Sequence, residues 1–110
     1  MIGLVGIICL VLGFIFKVLP PRKINCIYGY RTNLSMKNQD VWNEAQKYSA
    51  ITLIILGFIY VALEFLLNHL IKNLSIGFEN ILILIGFVIM IFLDEVHLTK
   101  VFKKDGSRKL

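Results

Sequence analysis

Three long apolar runs alternate with polar segments along the chain. They extend from Met1 to Phe16, from Tyr48 to Ile71 and from Leu74 to Leu93, and each holds at most one acidic residue. A helix needs about 20 residues to cross a hydrocarbon layer of about 30 Å, and backbone groups in lipid must bond internally. The pattern therefore predicts an all-α membrane protein with three transmembrane helices, at about residues 2–19, 48–71 and 75–102.

Composition agrees with a membrane environment. The 110 residues are 57% hydrophobic, with a mean hydropathy of +0.77, and a soluble protein of this size cannot bury so much apolar surface. A single domain over residues 1–110 is expected. The first run lacks a basic start and a small-residue cleavage site, so it predicts a retained helix rather than a signal peptide.

The basic residues predict an orientation. The first loop and its flanks hold six lysines and arginines, the C-terminal tail holds five, and the second loop holds only Lys72. Because positive loops remain in the cytoplasm, the loop at residues 20–47 and the C-terminus are predicted to be cytoplasmic and the N-terminus external. Arg22 and Lys23, next to Pro20-Pro21, are expected to contact anionic lipid headgroups. Nucleic-acid binding is not indicated, because the cations fall in two separate segments.

The first loop combines aromatic, glycine and cationic residues. Tyr28 and Tyr30 flank Gly29, a pattern typical of a turn with interfacial aromatic anchors. The planar fork of Arg31 suits a carboxylate or a phosphate. It can clamp a lipid phosphate or pair with an acid, either in the loop (Asp40 or Glu44) or at the end of the third helix (Asp94 or Glu95).

A short interfacial helix is predicted from about Met36, leading into the second span. Ser35 or a neighbouring polar residue is expected to cap it. Trp42 lies beside its weak apolar stripe, which favours a headgroup-level anchor over a binding-site aromatic. The third helix is expected to run through Phe102 and to stop at Asp105-Gly106, and the last four residues of the chain are expected to fray.

Polar residues within the runs mark further candidates. Glu64 shares a helix face with Tyr60 and Asn68, and ionisable groups in spans suggest function by default. It can be protonated, reach outward to water, or accept a hydrogen bond from a neighbouring helix. Several glycines, among them Gly6 and Gly57, can allow close helix approach, although no GxxxG pair lies in the spans.

Asp94, Glu95 and His97 gather where the third run ends. They predict a polar end to the helix, pairing with loop cations. Too few ligands are present for a metal site, and Cys9 and Cys26 do not predict a disulfide, because they lie at different depths beside a reducing compartment. Lipid chemistry at the acidic cluster is an enzyme-class alternative without a complete catalytic constellation. No enzyme activity, metal or cofactor is predicted.

The loop motifs resemble those of the SdpI/YfhL family of bacterial multi-pass membrane proteins. The resemblance is carried by Pro20-Pro21-Arg22-Lys23-Ile24-Asn25, Tyr28-Gly29-Tyr30-Arg31-Thr32, Ser35-Met36-Lys37-Asn38, Trp42 to Ala45 and the closing Phe102-Lys103-Lys104-Asp105-Gly106. The family is named for an immunity protein against a secreted toxin peptide that attacks membranes. The namesake has further membrane helices before this module, and any toxin recognition that uses them would not carry over.

This resemblance implies a protein of the bacterial plasma membrane, with toxin immunity or membrane sequestration of a cytoplasmic regulator as its function. The alternative is a lipid- or small-ligand-binding membrane module, or a transporter subunit. Expected partners are anionic lipids, a toxin peptide or a cytoplasmic regulator, and a homo-oligomer is compatible with so few helices. The residues assigned to ligand or partner binding are Tyr28, Tyr30, Arg31, Thr32, Asn38, Trp42, Glu64, Asp94 and Glu95.

Overall fold

The protein is all-helical, as the apolar pattern predicts. A computed structural model describes residues 2–25, 29–70 and 76–108, and these contain three helices: α1 at Ile2–Val18, α2 at Gln39–Leu70 and α3 at Ile76–Val101. Within the described ranges, the β-type pairing is one isolated antiparallel bridge between Phe102 and Arg108. Helices α2 and α3 are long and apolar enough to cross a bilayer, whereas α1 is apolar but shorter.

Helix α1 ends where the apolar run of the sequence gives way to a pair of prolines. The Leu19 amide still donates to the Ile15 carbonyl at 2.7 Å, and the Pro20-Pro21 pair follows. Proline has no amide hydrogen, and its ring clashes with the preceding turn of a helix. The chain therefore leaves the helix here and begins the first loop, defined as residues 19–38.

Helix α2 differs from the prediction at its start. One continuous helix runs over Gln39–Leu70, so the prediction of a separate interfacial helix was wrong, and the helix predicted to begin at residue 48 begins at Gln39 instead. No proline or glycine occurs between Gln39 and Gly57, and nothing interrupts the hydrogen-bond ladder. Asn38 caps the helix: its Oδ1 accepts from the Val41 amide at 2.9 Å, which satisfies one of the unpaired donors of the first turn.

Helices α1 and α2 touch backbone to backbone at Gly6 and Gly57. A Cβ at either glycine would lie 2.8 Å from the carbonyl oxygen of the other. This contact packs α1 closely against α2 and buries the core cluster of Ile2, Cys9, Leu56 and Tyr60. The glycines predicted to allow close helix approach do so here without a GxxxG spacing.

Helix α3 is joined to α2 through Tyr60. The Tyr60 hydroxyl donates to the Ile83 carbonyl at 2.6 Å, and its ring meets Phe87 edge-on at 5.9 Å. Gly86 leaves room for the ring, because a Cβ there would overlap the hydroxyl. Most of the remaining α3 surface is exposed and apolar, as at Phe92, which is 66% exposed. Such a surface is typical of a helix that faces lipid.

A second core lies where the first loop, the start of α2 and the end of α3 meet. Its buried members are Val41, Ala45, Leu98 and Phe102. After Val101 the chain turns back: the Gly106 amide donates to the Lys103 carbonyl at 3.0 Å, and the Lys103 amide to the Ser107 carbonyl at 2.7 Å. Gly106 has a φ of 90°, which glycine adopts without strain. We call this part of the molecule the loop end.

Candidate functional site

Gln46 holds the backbone of Tyr30 against α2. The Tyr30 amide donates to Gln46 Oε1 at 2.8 Å, and Gln46 Nε2 donates to the Tyr30 carbonyl at 2.7 Å. Gln46 is buried at 3% exposure, so both bonds are shielded from competing water. The side-chain amide of Gln46 therefore bonds to both the N–H and the C=O of Tyr30, as the backbone of a neighbouring β-strand would, and fixes the position of Tyr30.

The side chain of Tyr30 reaches α3. Its hydroxyl donates to Glu95 Oε1 at 2.9 Å and lies 3.3 Å from the Ile91 carbonyl. Burial raises the pKa of the Tyr30 hydroxyl above its ordinary value of 10.0, and the hydrogen bond to Glu95 and the charges of Glu95 and Asp94 raise it further. The hydroxyl therefore keeps its proton and acts as a donor. Sequence analysis selected both Tyr30 and Glu95, and the structure brings them together.

Asp94 lies in the same region and is almost fully enclosed, at 2% exposure. Its Oδ1 accepts from the Thr52 hydroxyl at 2.9 Å. Its Oδ2 is buried, and no residue of the described ranges bonds to it. A buried carboxylate oxygen without a donor is costly, so Asp94 is the polar group at the loop end that is least satisfied by the fold.

The acids proposed as partners of Arg31 have other contacts. Asp40 forms a bidentate pair with Arg108, at 2.8 and 2.9 Å. Glu44 Oε1 lies 2.8 Å from His97 Nε2. A direct bond between Arg31 and Asp94 or Glu95 stays a prediction.

His97 is held from two sides. Besides its contact with Glu44, its ring stacks on Tyr48, with ring centroids 3.8 Å apart and an interplanar angle of 3°. Glu44 and Tyr48 lie one turn apart on α2 and therefore share a face. His97 thus ties α3 to this face rather than joining Asp94 in a shared cluster.

Thr32 and Ser35 form a closed turn within the first loop. The Thr32 amide donates to Ser35 Oγ at 2.7 Å, and the Ser35 amide donates to Thr32 Oγ1 at 3.2 Å. Ser35 is fully buried, and its hydroxyl also lies 3.2 Å from the Tyr30 carbonyl. Such side-chain bonds favour a local turn over helix, so Ser35 shapes the loop and Asn38 caps α2.

Asn38 connects the first loop to the C-terminal turn. Its Oδ1 is the α2 cap, and its Nδ2 donates to the Gly106 carbonyl at 2.8 Å. A Cβ on Gly106 would approach Asn38 Nδ2 to 2.6 Å. The glycine therefore allows both the positive φ and the close approach, and the Asn38 amide joins the start of α2 to the C-terminal turn. We call the network of hydrogen bonds at the loop end the hydrogen-bonded layer; its members are Tyr30, Ser35, Asn38, Trp42, Gln46, Glu95 and Gly106.

Trp42 is not the headgroup anchor that the sequence favoured. It is completely buried, and its Nε1 donates to the Pro21 carbonyl at 2.5 Å. The indole packs inside because the loop folds back over α2 and supplies an acceptor there. Arg22 and Lys23 beside it are exposed, and their predicted lipid contact stays a prediction. Tyr28 lies outside the described residues.

Glu64 lies at the opposite end of the molecule from the loop. Its Oε2 accepts from the Gly3 amide at the start of α1, and its Oε1 lies 3.4 Å from Asn68 Nδ2. A carboxylate at a helix N-terminus bonds free amide groups and meets the positive end of the helix dipole. Of the alternatives stated for Glu64, the structure contains the hydrogen bond from a neighbouring helix.

Comparisons with known proteins show which family the chain belongs to. The model of the SdpI/YfhL protein family matches residues 22–93. The chain belongs to the SdpI/YfhL family. It is also 40% identical to YfhL of Bacillus subtilis (strain 168) over 108 residues, which cover 97% of this chain and 94% of that protein. No solved structure matches the chain significantly.

The SdpI/YfhL match contains most of the first loop, all of α2 and most of α3, and it ends one residue before Asp94. Within it lie Tyr30, Gln46 and Asn38, whereas their partners Glu95 and Gly106 lie beyond it. The similarity to YfhL extends over nearly the whole chain. The hydrogen-bonded layer is thus built from the family's motif loop together with the α3 end and tail.

Sequence analysis did not select Gln46 or Thr52. A signal for Gln46 was nevertheless present, because it falls on the buried stripe of α2 with Trp42, Ala45 and Ser49. A polar residue in such a stripe requires a bonding partner. Thr52 has no comparable signal, since threonine often bonds to its own helix; here its hydroxyl donates to Asp94 and only lies near the Ser49 carbonyl oxygen, at 3.0 Å.

Proposed function

We propose that this protein is a small bacterial membrane protein of the SdpI immunity type. In this proposal it protects the plasma membrane against a toxin peptide, or holds a cytoplasmic regulator there, through contacts rather than catalysis. The observation that carries the proposal is the ordered layer at the loop end, where Tyr30, Asn38 and Trp42 all form structural hydrogen bonds. Side chains used in this way make a rigid surface suited to recognition.

The proposed arrangement in the membrane has three crossings, with the N-terminus outside and the loop end in the cytoplasm. The basic residues favour it. The contacts between Asn38 and Gly106 and between Asp40 and Arg108 support it, because they require the first loop and the tail to share one side.

Thiol labelling of intact cells tests this orientation. In a background with Cys9→Ala and Cys26→Ser, an impermeant reagent is expected to leave Lys37→Cys unmodified until the cells are permeabilised. Gly77→Cys, at the opposite end of α3, serves as the matched external site. Ready labelling of Lys37→Cys in intact cells would contradict the orientation.

Immunity is tested by expression in a sensitive host. Cells that carry the protein are challenged with the toxin peptide against which the family's namesake protects, and survival is compared with vector controls at equal membrane expression. We expect increased survival with the wild-type chain and reduced survival with Tyr30→Phe. Unchanged killing at verified membrane expression would refute the immunity role.

The catalytic alternative has its own test. An Asp94→Asn, His97→Ala double variant removes two of the three ionisable groups of the α3 cluster, while Glu95 still accepts from Tyr30. In a contact-based mechanism, protection tracks the amount of folded protein in the membrane. A folded double variant that has lost all protection would favour chemistry at this cluster instead.

A lipid- or small-ligand-binding module is the second candidate function. A cavity with cations at its border, next to the end of α1, favours it. Lipid binding and immunity are compatible, because a bound lipid can hold a membrane protein at a fixed depth.

A further inference from the structure

A cavity of about 420 Å³ opens between the last turn of α1 and the first turns of α2. Three cations line it: Lys17 from α1, Arg22 from the segment after the proline pair, and Lys47 from α2. No acidic residue of the described ranges lines it, and none of the three cations has an ion-pair partner within those ranges. The cavity therefore presents uncompensated positive charge.

The remaining walls are mainly apolar. Phe16, Pro20, Pro21 and Ile51 contribute to the lining. Lys47 and Ile51 lie one turn apart on α2 and share a face, so a cation and an apolar side chain follow one another along the helix. Phe16 and Ile51 both belong to the apolar parts of their helices. The cavity thus combines a charged part at the loop with an apolar part toward the spans.

The loop wall is fixed in place rather than loosely apposed. Trp42 Nε1 donates to the Pro21 carbonyl at 2.5 Å, and Gln39 Nε2 donates to the Arg22 carbonyl. Trp42 is fully buried. The backbone that carries Arg22 is therefore held against α2, so this wall of the cavity is formed by the fold itself.

We propose that this cavity binds one anionic phospholipid. Its phosphate bonds to Lys17, Arg22 and Lys47, and its upper acyl chain lies along Phe16 and Ile51. Guanidinium and ammonium groups are suited to phosphate oxygens, and the adjoining apolar wall excludes a purely hydrophilic anion as the best occupant. The site goes beyond the predicted headgroup contact of Arg22 and Lys23, because Lys23 does not line the cavity.

A second cavity of about 470 Å³ provides a contrast. It is lined by Lys37 from the first loop and by Lys103 and Lys104 from the tail, among others. Its position in the loop and tail, away from the apolar runs, gives an acyl chain no apolar helix end to follow. A charge-matched control can therefore combine Lys100 and Lys104, which are exposed and lie outside the proposed lipid site.

Native mass spectrometry in detergent tests the proposal. The probes are phosphatidylglycerol and phosphatidylcholine with identical acyl chains, supplied at equal concentration, and the readout is the ratio of the two bound forms. We expect the wild type to retain phosphatidylglycerol preferentially. Each cation near a membrane surface contributes about fivefold, so Lys17→Ala, Lys47→Ala should lower the ratio by about 25-fold.

Matched variants distinguish binding at this cavity from a general effect of the net charge of the protein. Lys100→Ala, Lys104→Ala removes the same charge and should leave the ratio nearly unchanged, and Lys17→Arg, Lys47→Arg should preserve it. The emission of Trp42, the single tryptophan of the chain, reports whether each variant is folded. If the alanine double variant shifts that emission, the two single variants replace it, each with an expected fall of about fivefold.

Three results would overturn the proposal. One is the absence of any preference for phosphatidylglycerol in the wild type. Another is an equal fall of the ratio in both double variants, which would assign the preference to net charge. The third is displacement of the lipid by an equal concentration of inorganic phosphate, which would identify the occupant as a free anion.

Discussion

The Tyr30 hydroxyl donates to the Glu95 carboxylate across 2.9 Å, although the two residues lie 65 positions apart. Gln46 holds the backbone of the same tyrosine from α2. One loop residue therefore joins α2 to α3 at the loop end, in addition to the direct contacts of α2 with His97 and Asp94. Its removal should affect both the stability and the function of the layer.

Tyr30→Phe is expected to lower the free energy of unfolding by about 1–2 kcal/mol, because Glu95 loses a donor while the ring remains. The measurement is unfolding in detergent micelles, followed by circular dichroism. Tyr48→Phe is the control, since the Tyr48 ring stacks on His97 and its hydroxyl has no hydrogen bond within the described ranges. Equal losses in both variants would contradict a specific role for the Tyr30 hydroxyl.

The same hydroxyl predicts a pH dependence. The folded pKa of Tyr30 is raised above its ordinary value of 10.0, so above pH 10.0 the folded chain keeps a proton that the unfolded chain has lost. The contribution of Tyr30 to stability is therefore complete below pH 10.0 and declines as the pH rises. The difference in unfolding free energy between wild type and Tyr30→Phe should shrink above that pH, and a constant difference would refute the assignment.

Thr52→Val is expected to destabilise the protein by about 1–3 kcal/mol, because it leaves both carboxylate oxygens of Asp94 without a donor. Thr52→Ser keeps the hydroxyl and serves as the control. Replacing both partners, in Thr52→Val, Asp94→Leu, should recover much of the loss, since no buried charge then remains. Additive losses in the double variant, measured by chemical unfolding, would show that the two residues do not interact.

Gly57→Ala should weaken the packing of α1 against α2, because the new methyl group clashes with the α1 backbone. The added Cβ would lie 2.8 Å from the Gly6 carbonyl oxygen and 2.9 Å from the Leu10 amide nitrogen, and backbone atoms cannot yield as a side chain does. We expect a loss of about 1–3 kcal/mol in unfolding free energy. Gly77→Ala is the control: nothing lies within 4 Å of the new Cβ, so that variant should be neutral or gain up to about 1 kcal/mol from helix propensity.

The two hydrogen bonds of the Asn38 side chain, to the Val41 amide and to the Gly106 carbonyl, can be removed one at a time. Asn38→Asp keeps the acceptor for the Val41 amide and loses the donor to Gly106, whereas Asn38→Ala loses both. We expect the alanine variant to cost about 1–2 kcal/mol through the lost cap. The aspartate variant should keep most of that stability but release the tail, seen as faster hydrogen exchange in residues 102–108. Unchanged exchange in both variants would contradict the role of the contact with Gly106.

The sequence was sufficient for the all-helical class and for the family. Apolar runs of about 20 residues constrain a chain to helices, and α1 and α3 end within one residue of the predicted positions. The start of α2 was missed, because the stripe at Val41 and Ala45 is too short to distinguish a separate interfacial helix from the first turns of a long one. That distinction depends on the Asn38 cap and on burial against Leu98 and Phe102.

The position of the tail could not be predicted from the sequence pattern either. Its last residues were expected to fray, yet Arg108 forms a bidentate pair with Asp40 and lies 5.0 Å above the ring of Phe102. A short polar end has no periodicity from which docking can be inferred. Its partner lies 68 positions away in sequence, and only the fold brings the two together.

The apolar runs, a local property of the sequence, determined the all-helical class and the ends of α1 and α3. The distribution of the basic residues along the chain determined the predicted orientation. Which polar groups meet was decided by the tertiary structure. The pairing of Tyr30 with Glu95, the burial of Trp42 and the enclosure of Asp94 all depend on the close approach of helices and loop. Hydrogen bonds are directional and act over about 3 Å, so their partners follow from three-dimensional packing rather than from residue type or spacing.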